Sequence, residues 1–544
     1  MEKMSTSYTE TLSFLKSKKA KPVILEWMFS TDHKRIGMMY MFTILMMFTV
    51  GMFIGLVIRL HLFNPAWHLL APQTYNAAFT LHGVIMIFFF VIPSIPASFG
   101  NIFLPLHLGA EDVAFPRINL LSYYLYVTGI VLAITSLFTG KGPPDTGWTF
   151  YVPFSEFTTT NVTLAAFAVF LVGFSSILTG LNFLTTIHRL RAPGMSWGRI
   201  TLFSWSLYAT AWIQILATPV LAITLIIIML DRVLGVGMFD PSKGGDPILY
   251  QHMFWIYSHP AVYIMILPGM GLITEIIPVF ARKSIFGYKA IAFSSLMIAF
   301  AGSLVWGHHM FTSGMSDTAV WVFSFLTFIV AIPSAIKVFN WVATLYKGSI
   351  VIEPPLLFAL AFIFLFSIGG LSGLVVGSAG TDIHVHDTYF VVGHFHYVIF
   401  GGTGFAFFGG MHYWFPKIFG KMYNKNIATT AWAISFIGFN ITYFPFFILG
   451  LKGMPRRYYD YLPQYQWLHQ LSTFGAIILV IGLIIMFLNL YISIIKGKAV
   501  GKNPWGAATL EWTIPSPLPS HNFEEIPTVT KGPYDFKGIK ADDN

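Results

Sequence analysis

Six histidines lie inside stretches that otherwise read as lipid-spanning helices: His82, His259, the adjacent His308 and His309, and the near pair His394 and His396. A buried imidazole is costly in a bilayer unless something binds it. A single intramembrane histidine is more often a hydrogen-bond partner between helices than a metal ligand. Six of them, two pairs at tight spacing, point to bound metal instead.

Composition sets the medium. Hydrophobic residues make up 55% of the 544 and charged residues only 10%, far from the balance of a soluble domain. The chain is therefore expected to be an all-α integral membrane protein. Apolar runs long enough to cross a hydrocarbon core about 30 Å thick fall near 36–61, 76–107, 119–138, 161–187, 200–230, 250–280, 288–312, 319–346, 356–378, 388–415, 427–449 and 470–495. That predicts a bundle of twelve transmembrane helices with both termini on one side.

Lys16, Lys18, Lys19, Lys21, Lys34 and Arg35 precede the first span, and His188, Arg189, Arg191 and Arg199 fill the loop after the fourth. Counting the spans brings Arg282, Lys283, Lys347, Lys417, Lys421, Lys425, Lys496, Lys498 and Lys502 to the same face. By the positive-inside rule that face is cytoplasmic. The organisation expected is a cytoplasmic segment 1–35, a helical domain 36–495 and a cytoplasmic tail 496–544. The net charge of +9 then reflects topology rather than nucleic-acid binding, because the basic residues are spread over short loops. The polar N-terminus has no apolar stretch ending at a small-residue cleavage site, so the first span is expected to be retained.

Cysteine is absent. Disulfides, iron–sulfur clusters and thiolate metal sites are excluded, which leaves His, Met, Tyr and carboxylates as possible ligands, with imidazole the expected set. Residues two apart on an α-helix are rotated by about 200°, so His394 and His396 project to nearly opposite faces and each would ligate a separate planar cofactor, with Phe395 as an apolar bridge between. His82, in Leu81-His82-Gly83, is free to supply the opposite axial ligand to one of them. A bis-imidazole iron suits electron transfer, whereas an iron with one histidine keeps an open position.

His308 and His309, about 100° apart if helical, can reach one metal, and His259 in Tyr257-Ser258-His259-Pro260-Ala261-Val262-Tyr263 would complete a three-imidazole site. Such a set suits copper or zinc, and redox chemistry beside a haem favours copper. Tyr263 follows His259 by four residues, so its phenol lies on the same helical face, where it could donate a proton and an electron.

These motifs resemble one family, subunit I of the haem–copper terminal oxidases of the cytochrome c oxidase type. The resemblance runs from Trp27-Met28-Phe29-Ser30-Thr31-Asp32-His33-Lys34 to about Ser493, and its most specific stretch is His386-Asp387-Thr388-Tyr389-Phe390-Val391-Val392-Gly393-His394-Phe395-His396-Tyr397. It implies two haems, of type A or O, and one copper. His82 and His396 would ligate the low-spin haem and His394 the high-spin haem. His259, His308 and His309 would hold the copper, with Tyr263 cross-linked to His259. Arg456 and Arg457 would pair with haem propionates, as suits the guanidinium fork, and Arg59 would lie beside the low-spin haem. His386 and Asp387 resemble an outer-face magnesium site.

The resemblance also implies two proton routes. Lys337, in Ser334-Ala335-Ile336-Lys337-Val338-Phe339, sits within an apolar span, where a lysine costs about 2.5–3.5 kcal/mol. The second route starts at Asp112 and continues past Asn101, Asn119 and Asn182. One departure stands out: the commonest members carry glutamate where this chain has Ala261, and the Tyr257-Ser258 pair resembles a subgroup in which those hydroxyls take its place. Quinol-oxidising relatives place Arg and Asp on the first span, where this chain has Val50 and Ile54.

The implied activity is reduction of dioxygen to water with electrons from cytochrome c, delivered through a subunit II with a dicopper centre and coupled to proton pumping. Subunit III, small subunits and membership of a respiratory supercomplex are implied as partners, as is the lipid of a prokaryotic plasma (inner) membrane. The rivals are a quinol oxidase, a nitric oxide reductase, which shares the six histidines but lacks Tyr263 and the Lys337 route, and a haem-storage or transport bundle without catalysis.

Overall fold

Apolar runs in this chain form helices because a helix satisfies its own backbone polar groups, the condition for crossing hydrocarbon. A computed structural model describes residues 13–16 and 22–542. Lys18, Lys19 and Lys21, counted above among the orienting charges, lie outside the described residues, as do residues 1–12 of segment 1–35.

The membrane helices are α1 (His33–His61), α2 (Pro72–Leu108), α3 (Pro116–Phe138), α4 (Val162–Arg189), α5 (Leu202–Leu234), α6 (Pro247–Ala281), α7 (Tyr288–Gly302), α8 (Asp317–Leu345), α9 (Pro354–Gly377), α10 (Tyr389–Phe419), α11 (Lys425–Leu451) and α12 (Pro463–Lys496). Eleven are long and apolar enough to span; α7 is the exception at 15 residues. The seventh span expected at 288–312 is thus corrected. Its helix stops at Gly302, a weak helix former, and the chain turns into a short 3₁₀ segment, Trp306–Met310, that carries His308 and His309. The two histidines consequently follow the tighter 3₁₀ rotation of about 120° per residue, not the α-helical 100°.

Local sequence sets the helix starts. The Asp32 carboxylate accepts from Lys34 N and Arg35 N at the start of α1, and Asp246 caps α6 with Pro247 as its first residue. Inside α2, Pro93 and Pro96 fall in or beside π-helical stretches, Ile85–Val91 and Ser94–Gly100, that absorb the missing backbone donors. A third π-helical stretch, His396–Gly404, begins at one of the six histidines.

α6 is the axis of the bundle, buried throughout its most apolar stretch. It packs on α5, which in turn packs on α4, and α4 on α3. On the far side α11 pairs with α12 at backbone contact. A Cβ at Gly475 would lie 2.4 Å from Thr442 N, and one at Gly438 2.4 Å from Leu479 N, the close approach that small residues permit in membranes.

The tail beyond α12 is folded against the helix ends. Lys421–Met422 pairs antiparallel with Lys498–Ala499, Lys417 Nζ donates to Lys502 O and Ile514 O, and Trp512 Nε1 donates to Tyr413 Oη at 3.1 Å.

Gly475→Val should force α11 and α12 apart at a cost of about 1–3 kcal/mol, read as a lower thermal unfolding midpoint in detergent. Gly370→Val, at a position where a Cβ meets nothing within 4 Å, should leave the midpoint near that of the parent.

Candidate functional site

The structure brings three imidazoles to one point. Ring nitrogens of His259 on α6 and of His308 and His309 on the Trp306–Met310 turn all lie within 4.8 Å of one another, the only such group of three ligands found among the described residues. His259 Nδ1 and His309 Nε2 face each other at 2.9 Å. His308 Nδ1 donates to Thr327 Oγ1 at 2.9 Å, since that hydroxyl spends its own proton on Phe323 O. The lone pair of His308 is therefore on Nε2. The His309 ring is stacked on Trp255, centroids 3.7 Å apart at 8°. Outer contacts of this kind fix tautomer and ring plane for a metal, and three neutral imidazoles without thiolate or carboxylate fit copper or zinc.

Tyr263 stands beside this group, its ring centroid 4.9 Å from that of His259. Gly302 makes the room: a Cβ there would sit 2.3 Å from Tyr263 Cε2. His259 Nε2 is buried without a hydrogen-bond partner.

A second site is a cavity lined by His82 and His396 together with Phe48, Gly55, Arg59 and Arg456. His82 Nδ1 donates to Gly51 O at 2.8 Å and His396 Nδ1 to Val392 O at 2.8 Å, so both Nε2 atoms remain for a metal. Gly55 clears the His82 ring, since a Cβ there would meet His82 Cε1 at 2.8 Å. Two imidazoles with free Nε2 between apolar walls fit a bis-histidine haem. His394 turns the other way. Its Nδ1 lies 3.0 Å from Gly369 O and 3.1 Å from Ser372 Oγ on α9, whereas the His396 ring stacks on Tyr443 of α11 at 4.3 Å and 17°. His394 lies in the last turn of the α-helical part of α10, which ends at Phe395, and His396 opens its π-helical part, with Phe395 between them on the wall of the cavity.

At the end of the cavity, Arg456 Nε pairs with Asp387 Oδ1 at 2.9 Å, and Arg457 lies over Phe79 at 5.7 Å. His386 Nδ1 is engaged by Asp382 Oδ2 at 2.7 Å. His386 and Asp387 are thus turned to different partners, and no third ligand among the described residues joins them.

Comparison with known proteins shows the family. Residues 35–478 match the family model described as cytochrome c and quinol oxidase polypeptide I. The chain belongs to that family. It is 47% identical to cytochrome c oxidase subunit 1 of Synechocystis over 93% of this chain and 92% of that one. Against the same subunit of Thermostichus vulcanus identity is 45% at the same coverage, and against that of Bacillus subtilis 39% over 95% and 84%. A haem–copper terminal oxidase dimer solved by cryo-electron microscopy shares the fold, with TM-score 0.71 over 86% of this chain and 85% of that one at 21% identity.

For this subunit I the remaining sequence-derived residues fall as follows. Lys337 is buried on α8 and Nζ donates to Ser295 Oγ of α7 at 2.7 Å. Tyr257, Ser258 and Ala261 are buried on α6, and Ser258 Oγ has no partner. Asn119 is buried with both amide atoms unpaired. Asn101 donates to Ala97 O at 2.8 Å, and Asn182 spends its amide on Phe115 N and O, pinning the loop that holds Asp112.

Sequence reading missed the hydroxyls that extend this line. Ser122 Oγ donates to Asn119 O at 2.7 Å, and Tyr40 Oη lies 3.0 Å from both Ser122 Oγ and Ser175 Oγ. Ser295 was missed likewise. Each looks like an ordinary small or aromatic helix residue until the partner helix is placed beside it.

Burial pushes the Asp112 carboxyl up to about 7, against a hydrogen bond from Val113 N that pulls it down. A raised carboxylate pKa means the folded chain holds a proton that the unfolded chain has lost, so folding is penalised as pH rises from about 4 through 7. Asp112→Asn should therefore raise the thermal unfolding midpoint more at pH 8 than at pH 5. Equal shifts at the two pH values would show an ordinary surface carboxylate.

Proposed function

We propose that this subunit reduces dioxygen to water, with electrons from a c-type cytochrome delivered through a dicopper subunit II, and pumps protons across a prokaryotic plasma membrane. The observation that carries this reading is the His259, His308 and His309 cluster with Tyr263 against it. A nitric oxide reductase is disfavoured because Tyr263 and Lys337 are both present. A quinol donor is disfavoured by Val50 and Ile54 on α1.

In this reading His82 and His396 hold a low-spin haem, His394 holds a high-spin haem, and His259, His308 and His309 hold copper. Held by these residues, such groups would supply one-electron redox chemistry and a binding position for dioxygen. The chain's own residues supply protons and charge compensation. Tyr263 gives up a phenolic proton and an electron; its cross-link to His259 would join a ring carbon to the imidazole nitrogen that lacks a partner, the C–H and N–H hydrogens being lost in a two-electron oxidation by the substrate dioxygen. Lys337 re-supplies protons through Ser295 from the cytoplasmic face, because reduction in a low dielectric must be matched by incoming positive charge. Asp112 gathers protons for the line of Asn119, Ser122, Tyr40 and Ser175. Tyr257 and Ser258 stand one turn from Ala261 and relay where a carboxylic acid is missing, since a hydroxyl passes protons by hydrogen-bond exchange.

At the opposite end Arg456 and Arg457 bind the propionates, and their guanidiniums hold that end of the macrocycle in place. His386 and Asp387 take a magnesium ion there, with a neighbouring subunit completing the ligand set. Both termini lie in the cytoplasm, and subunit III, small subunits and supercomplex partners cover the outward apolar helix faces.

Two substitutions test the ligand sets separately. His396→Met should abolish low-spin absorption. His308→Ala should remove copper while leaving that absorption intact. Copper retained by His308→Ala, or an unchanged spectrum in His396→Met, refutes the corresponding set.

A further inference from the structure

Of the three arginines that line the His82 and His396 cavity, Arg59 lies near the end of α1 and has no carboxylate partner among the described residues. It is 7% exposed. Burying a guanidinium in a span is expensive unless its donors are satisfied. Its Nη2 donates to His469 O at 2.7 Å and to Thr473 Oγ1 at 3.2 Å, both on α12. Both Nη atoms also lie 3.4 Å from His469 Nδ1. The guanidinium rests over Phe446 at 5.3 Å.

His469 is itself buried and locked. Its ring stacks on Tyr461 with centroids 4.2 Å apart at 16° and meets the edge of Tyr389 at 5.2 Å. Facing a cation, Nδ1 must present its lone pair, which leaves the proton on Nε2, and Nε2 has no partner in the structure. Thr473 closes the clamp by pairing with the carbonyls of both Arg59 and His469, at 2.9 and 2.8 Å. A buried polar ring with one unsatisfied donor calls for a reason, and the reason on offer is the guanidinium it faces. Each of these acceptors of Arg59 is neutral, so its positive charge is left undamped toward the cavity it lines.

We propose that His469 is a positioning residue that aims the Arg59 charge at the low-spin site and thereby raises that site's reduction potential. A fixed cation favours the reduced state of a neighbouring iron, because reduction removes one positive charge from it. The proposal rests on the bis-imidazole haem reading of the cavity. It adds that the His469 side chain, itself outside the lining of that cavity, sets the site's electronics through Arg59.

The test is a redox titration of the low-spin absorption in the purified holoenzyme. His469→Ala should lower the midpoint potential and shift the reduced absorption band with the low-spin haem retained. His469→Asn, whose side-chain oxygen can take the place of Nδ1, should restore both toward the parent. In an Arg59→Met background His469→Ala should add no further change, as a double-mutant cycle requires of a residue acting only through its partner. An unaltered potential in His469→Ala, or an equal shift in the Arg59→Met background, overturns the proposal. A parent protein without low-spin absorption would refute the haem reading itself, and a normal absorption with an unmoved potential would refute His469 alone.

Discussion

An imidazole in hydrocarbon must satisfy both ring nitrogens, and here one nitrogen is taken by the protein so that the other is left for metal. His82, His394 and His396 each direct Nδ1 at a backbone carbonyl, those of Gly51, Gly369 and Val392. His308 directs Nδ1 at the Thr327 hydroxyl. The carbonyls at 51 and 369 belong to glycines on helices other than those carrying the histidines, so each such bond also fixes the spacing of a helix pair. The candidate metal sites and the helix packing are therefore one arrangement.

That arrangement needs helices that are not regular. His396 opens a π-helical stretch and His82 lies just before another. His308 and His309 leave the α-helix altogether for a 3₁₀ turn. Wider or tighter turns re-aim a side chain without breaking the span, which suits functional positions. Glycine does the complementary work: Gly55 and Gly302 leave space for the rings of His82 and Tyr263, and Gly438 and Gly475 let α11 and α12 touch.

The membrane architecture and the six histidines were legible in the sequence because hydropathy reports lipid crossing directly and an intramembrane imidazole is conspicuous. The short α7 was not, since the residues after Gly302 remain apolar and hydropathy cannot distinguish helix from a buried 3₁₀ turn. Asn182 read as part of a proton line, yet its amide is consumed by the Phe115 backbone. Tyr40, Ser122, Ser175 and Ser295 were invisible for the opposite reason: a lone hydroxyl in a helix has many uses, and only the neighbouring helix reveals a chain of them. His469 lies outside the six and gains meaning only from Arg59, 410 positions away.

The central claim is that one chain holds two haem irons, one bis-imidazole and one singly ligated, with a three-imidazole copper site at Tyr263. Pyridine-haemochrome and elemental analysis of the purified protein measure this directly. Two haems and one copper per chain are the predicted result. Two haems with non-haem iron in place of copper, or no bound metal, would contradict it.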